Sequence, residues 1–189
     1  MATREQVDEL RQKMREQRAE LMAAARGLTP EDALRVPKDA TGEEQWTALE
    51  QLAHLWEMER SYDSWVRAAL DSDNPDLTNV RGEPVAIPIE LANGHTVAEL
   101  LQALEIERAY THGLIDGLPL DAFDRTATSP MFGTLTVLQW LRSFYRHDRQ
   151  HGAQILGRQS DYTPTFKNGE PNQRRMRIEA VKARGGAGL

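Results

Sequence analysis

Apolar residues recur along four long segments of the chain at the spacing of amphipathic helices. The segments span about residues 4–25, 43–70, 96–118 and 136–158. A helix repeats every ~3.6 residues, so this spacing gathers the apolar side chains of each segment on one face. Four such segments predict an all-α protein with the architecture of a four-helix bundle.

Helix-capping sequences and a long connection sharpen this prediction. The sequences TVAE at 96–99 and TVLQ at 136–139 have the Thr-x-x-Glu/Gln spacing of a capping box. Residues 72–95 show no helical period, and Pro84 and Pro88 argue against a regular interior strand there. We therefore expect a long crossover connection between the second and third helices.

The bundle is predicted to occupy residues 1–159, and residues 160–189 form a C-terminal tail. The polar stretch 171–184 is compatible with a short helix, and the glycine-rich end, 185–188, should be disordered.

The second segment is apolar on two faces. Leu49, Leu52 and Trp56 form one stripe, and the other consists of His54, Met58, Tyr62 and Trp65. A helix of this kind is buried on both sides, either at the centre of a bundle or against a second subunit. On this basis we expect a homodimer.

Composition narrows the classes of partner. The 189 residues carry 23 Lys+Arg against 29 Asp+Glu, a formal charge of −6 without a long basic run, which argues against nucleic acid as a partner.

With no cysteine, the chain has no disulfide, thiolate zinc site or catalytic thiol, as is common in a reducing cytoplasm. No segment has the roughly 18 unbroken apolar residues of a membrane span or the apolar core of a signal peptide. We expect a cytoplasmic protein with no membrane partner.

The fourth segment contains the sequence HDRQH, from His147 to His151. Residues four apart lie one turn apart on the same helix face, so two imidazoles can share one cation. The pair follows Trp140 and Phe144 in an apolar stripe, where unpartnered polar rings are costly. The alternative is that carbonyls, water or Asp148 satisfy both histidines.

A third ligand is needed for tight binding. Among the remaining histidines, His95 lies in a loop and His112 lies on the flank of the third segment. Only His54 lies in an apolar setting near the middle of a long helix. A single histidine there is also compatible with a simple core position.

Two blocks of sequence resemble the DinB/YfiT-like family of metal-binding four-helix-bundle proteins. In the first block Trp46 precedes the sequence LAHL around His54. In the second, His147, Asp148, Arg149 and His151 are followed by Gln154 and Ile155. The resemblance extends over about residues 5–158 and implies that His54, His147 and His151 bind one divalent metal ion.

Three neutral imidazoles leave coordination positions open, which is typical of a catalytic ion that activates water or a thiol. Zinc or nickel is the expected ion, with iron, copper or manganese as alternatives. Because members of the family include thiol-dependent transferases and isomerases, the resemblance implies a transferase or hydrolase. It would act on a small-molecule substrate, with a low-molecular-weight thiol as a possible partner.

Two alternative hypotheses, neither of them catalytic, use the same residues. The first is a metal-binding module of the stress response, and the second is a dimerisation module that presents Trp56, Tyr62 and Trp65. The pattern identifies no general base, although Glu107 and Thr111 interrupt the apolar stripe of the third helix and are candidates to face the site.

Overall fold

The computed structural model describes residues 1–81 and 86–183 of the chain. The predictions made for Pro84 and for the glycine-rich end at 185–188 lie outside the described residues. The helices and strands, in chain order, are α1 (Arg4–Arg26), α2 (Pro30–Ala33), α3 (Ala48–Asp71), α4 (Ile89–Ala92), α5 (Val97–Gly117), β1 (Thr126–Ser129), β2 (Gly133–Thr136), α6 (Val137–Ile155) and α7 (Ile178–Ala183).

The four long helices α1, α3, α5 and α6 form the predicted bundle. Each begins at a threonine whose side chain accepts a hydrogen bond from the backbone N–H three residues later, while a Glu or Gln at that later position reaches back. The boxes predicted at Thr96 and Thr136 are present.

The second long helix begins later than its predicted start at residue 43. A short 3-10 turn, Gly42–Gln45, comes first. Trp46 is extended, and Thr47 and Glu50 form a capping box that opens α3 at Ala48. The predicted start is wrong. The apolar pattern continues through Trp46, whereas the helix begins only after the capping box at Thr47.

Helix α3 packs against both α5 and α6. Its two apolar faces are thus both covered within one chain: Leu52 is fully buried, and so are Met58 and Trp65 on the other side. The homodimer stays a prediction, and the two-faced pattern that motivated it is satisfied inside the bundle.

A two-stranded hairpin precedes α6, a feature that the apolar pattern did not predict. Strands β1 and β2 pair antiparallel, with Thr126 opposite Thr136, and the turn ends at Gly133 with a φ of +76°. Each strand has only four residues, too few for a period-two alternation to stand out. Ala127 is the buried anchor of β1.

The connection from Ser72 to His95 contains the single turn α4 and passes beside the hairpin, where the backbone N–H of Leu77 donates to the carbonyl of Thr128. In the tail, α7 falls within the stretch for which a short helix was expected. No helix within residues 1–81 and 86–183 is both long and apolar enough to cross a membrane.

A buried ionic network joins all four long helices. Arg18 of α1 and Arg108 of α5 are held by two carboxylates, Glu59 of α3 and Asp148 of α6. Arg18 approaches Asp148 at 3.0 Å and also pairs with Glu59, while Arg108 lies 2.6 Å from Glu59 and 3.0 Å from Asp148. Two positive and two negative groups balance, so no charge is left buried without a partner.

The pKa of Arg108 reflects this balance. Burial by itself lowers the pKa of its guanidinium, but the carboxylates of Asp148 and Glu59 outweigh burial and raise it. Asp148, expected from the sequence to form salt bridges in the bundle, lies in this network.

Removing one carboxylate should destabilise the fold strongly. We expect Glu59→Gln to lower the free energy of unfolding by ~3–5 kcal/mol, because two buried guanidinium groups then share one negative partner. Glu57→Gln is the matched control on the same helix: its carboxylate pairs with Arg60 and Arg81 near the surface, so we expect a change of about 1 kcal/mol or less. Urea unfolding measures both, and equal effects would contradict this role of the network.

Candidate metal centre

Three histidines converge inside the bundle. His54 lies on α3, and His147 and His151 lie one turn apart on α6. The Nε2 atom of His147 is 3.3 Å from that of His54 and 2.8 Å from that of His151. All three rings are buried, with 3%, 9% and 0% of their surface exposed in chain order. Among the described residues, no other group of three His, Asp or Glu side chains is arranged to hold a metal ion.

The spacing of the three nitrogens suits a shared cation. Nitrogens ~2.0–2.1 Å from a tetrahedral zinc ion lie about 3.4 Å apart. The 3.3 Å separation of His54 and His147 agrees with this value, and the 2.8 Å pair on α6 is closer. Since His147 faces both other nitrogens, a single N–H cannot satisfy all three atoms, whereas three lone pairs directed at one cation can.

Gln51 selects the tautomer of His151. Its side-chain amide donates to the backbone carbonyl of Glu43 at 2.9 Å, which leaves its carbonyl oxygen facing Nδ1 of His151. A carbonyl oxygen only accepts, so Nδ1 carries the proton and Nε2 presents its lone pair to the cluster. This is the tautomer that a metal ligand requires.

Burial also keeps the rings of α6 neutral. Loss of water lowers the pKa of His151 to about 3. Burial likewise lowers the pKa of His147 well below its ordinary value, and the positive forms of His151, His54 and Arg18 lower it further. Neutral imidazole is the form that binds a metal ion.

Aromatic side chains surround the cluster. The ring of Trp46 stands edge-on to His54 at 4.8 Å between centroids and parallel to His151 at 6.1 Å. Tyr62 meets His147 edge-on at 5.8 Å. The indole N–H of Trp46 donates to the carbonyl of Gln173 at 2.8 Å, which attaches the C-terminal tail beside the site.

Glu43 lies at the mouth of the site and is held by three glutamine amides. One carboxylate oxygen accepts from Gln150 and, at 2.7 Å, from Gln154, both on α6. The other oxygen accepts from Gln173 of the tail at 3.0 Å. Three donors fix the carboxylate in one orientation without neutralising it.

A small cavity separates Glu43 from the histidines. It has a volume of about 20 Å³ and is bordered by His54 and His147 on one side and by Glu43 and Gln150 on another. Tyr162 and Phe166 of the tail close it from outside. A space of this size holds about one water molecule.

The other sequence candidates lie elsewhere. His95 packs edge-on against Trp56 at 5.7 Å, and His112 is half-buried on α5. Thr111 is buried and donates its hydroxyl to the carbonyl of Glu107 within α5. Neither of these two candidates, Thr111 and Glu107, lines the cavity beside the histidines.

The apolar pattern missed Glu43, Gln51, Gln150 and the tail. A polar residue in a predicted loop or on a helix flank carries no periodic signal. The one available clue was the sequence from Gln150 to Gln154, which places two amides one turn apart beside the histidine pair.

Fold and site together define a four-helix bundle with a buried cluster of three histidines. The sequence model of the DinB superfamily matches residues 6–155. The chain belongs to this superfamily. No curated protein sequence matches the chain significantly.

Among solved structures, the chain is similar to YfiT from Bacillus subtilis, described as a probable metal-dependent hydrolase with an unusual four-helix bundle topology. The TM-score is 0.70 at 18% sequence identity, and the match covers 83% of this chain and 87% of YfiT. At this identity the likeness establishes the fold.

Proposed function

We propose that the chain is a divalent-metal-dependent hydrolase that acts on a small molecule, with His54, His147 and His151 as the metal ligands. The observation that carries the proposal is the convergence of three buried histidine rings next to a cavity with room for one water. The description of YfiT as a probable metal-dependent hydrolase supports the same class of reaction.

The ion would supply Lewis acidity, which makes a water at the site acidic and polarises the bond to be cleaved. Zinc or nickel suits three imidazoles best, and iron, copper or manganese are the alternatives. Identifying the ion is part of the first test below.

Glu43 is the residue we assign to accept the proton of the attacking water. It borders the one-water cavity together with His54 and His147. The amides of Gln150, Gln154 and Gln173 fix its orientation and leave it negatively charged. A general base needs this combination of position and ionisation.

Thiol transfer remains a candidate reaction at the same three ligands. Hydrolysis is favoured because the cavity beside the histidines has room for a water and is bordered by Glu43 as an acceptor for its proton. A non-catalytic metal-binding module would use the same ligands, and turnover distinguishes it from an enzyme.

Removing one histidine should abolish metal binding. We expect protein purified without added metal to contain close to one equivalent of a divalent ion by elemental analysis, and His147→Ala to contain almost none. His112→Ala, which removes a half-buried histidine outside the cluster, should keep the wild-type content. Equal metal content in wild type and His147→Ala would end the proposal.

Removing the partner of His151 should weaken metal binding without abolishing it. We expect Gln51→Leu to lower metal affinity by about 10- to 100-fold, because His151 loses the acceptor that holds its proton on Nδ1. Competition with a chromophoric chelator measures the affinity, and circular dichroism verifies the helical content. Unchanged affinity in a folded variant would contradict the role of Gln51.

Removing the carboxylate of Glu43 should separate catalysis from metal binding. Against a panel of small esters and amides, we expect Glu43→Gln to lower kcat by roughly 10²-fold or more while the metal content stays unchanged. Glu31→Gln, an exposed site on α2, is the control. A parallel panel combines small thiols with electrophilic acceptors. Turnover in that panel alone would replace hydrolysis by thiol transfer, and no turnover in either would favour the non-catalytic module.

A further inference from the structure

We propose that the substrate of this site carries a cationic amino group, bound in an acidic pocket next to the histidine cluster. The inference rests on the proposed function, because it assigns the substrate class to the same site. It is carried by a pocket of about 430 Å³ that opens to the surface and shares Glu43, Gln150 and Gln173 with the one-water cavity.

The pocket is acidic on every charged side. Glu43, Glu44 and Glu170 line it, and among the described residues no lysine, arginine or histidine is part of the lining. Glu43 is held in place by the glutamine amides, whereas Glu44 and Glu170 are exposed and extend the negative potential to the opening. Carboxylates without a counter-charge attract a cation to such a concave surface.

An unpartnered acceptor points to a hydrogen-bond donor on the ligand. Gln150 is only 3% exposed, and its amide nitrogen donates to Glu43. Because Glu43 accepts and cannot donate, this orientation of the amide is fixed and its carbonyl oxygen is left buried without a hydrogen bond. A buried acceptor in that state is costly unless a water or a ligand donates to it, and an ammonium group is a donor of this kind.

The opposite side of the tail has the reverse character. Residues from Tyr162 to Pro164 separate the acidic pocket from a second pocket of about 400 Å³. Arg146 and Lys167 line this second pocket, and the indole N–H of Trp140 on its wall is buried without an acceptor. Acceptors on one side and donors on the other give a substrate a defined direction, with its amino end in the acidic pocket.

An ammonium group fits the acidic pocket better than a second metal ion does. Both oxygens of Glu43 already accept amide hydrogens, and within the described residues the three-histidine cluster is the one arrangement suited to a metal. An ammonium group has three donors and can add to such acceptors without displacing the glutamines.

The test compares two probes on metal-loaded, full-length protein. The amino group of L-alaninamide has a pKa of ~8, so it is an ammonium group in buffer about one pH unit lower. N-acetyl-L-alaninamide is its neutral counterpart. Binding is followed by ligand-observed NMR titration. We expect alaninamide to bind at least about tenfold more tightly than the acetylated probe, and to weaken as salt is raised.

A double variant tests whether the ammonium group binds in the acidic pocket. Glu44→Gln/Glu170→Gln should weaken the binding of alaninamide by about three- to tenfold and leave the binding of the acetylated probe unchanged. Glu31→Gln/Glu105→Gln removes the same charge from other surfaces and should have no effect. Addition of magnesium or calcium should not displace alaninamide. Displacement would identify the pocket as a metal site and overturn the proposal.

Two outcomes overturn it directly. Equal affinity for the two probes would show that the ammonium group is not recognised, and equal alaninamide binding by wild type and the Glu44/Glu170 variant would place the amine on the metal or elsewhere. Both results are independent of the His147→Ala metal analysis, so failure of this inference and failure of the proposed function can be told apart.

Discussion

The position of α6 relative to α3 is the constraint on which the site depends, and Asp148 is the residue that fixes it. Its carboxylate is buried against Arg18 and Arg108, and Glu59 of α3 completes the same network. Sliding α6 by a turn would leave these charges without partners, which costs far more than a shift in apolar packing. His147 directly precedes Asp148, so the network that sets the register of α6 also sets where its two imidazoles meet His54.

The polar groups of the site follow one another from the buried histidines outward to Glu43 and the tail. The three histidines are buried, and burial keeps the two on α6 neutral, with Gln51 holding His151 in a single tautomer. Glu43 comes next, oriented by amides from α6 and from the tail. The tail thus takes part in the site as well as covering it, because Gln173 contacts both Trp46 and Glu43. Chemistry at such a site needs one small opening and one oriented carboxylate, and both are present.

The sequence predicted the features that repeat and missed those that do not. Helical periodicity located α1, α3, α5 and α6, and the spacing of His147 and His151 predicted their shared face. The predicted start of α3 was wrong because the capping box at Thr47, and not the apolar period, determines where the helix begins. The hairpin was missed because strands of four residues are too short to show an alternating pattern. The role of Glu43 and the docking of the tail depend on contacts between residues more than 100 positions apart, such as Glu43 with Gln150 and Gln173. No local pattern records such pairs.

X-ray absorption at the edge of the bound metal shows whether the three histidines hold the ion, because it reports the atoms around the ion without requiring a substrate. We expect three imidazole nitrogens at ~2.0–2.1 Å for zinc, with oxygen from water completing the shell. A shell made only of oxygen atoms, or one that lacks the scattering pattern of imidazole rings, would mean that the ion binds elsewhere and that the three histidines are a structural cluster.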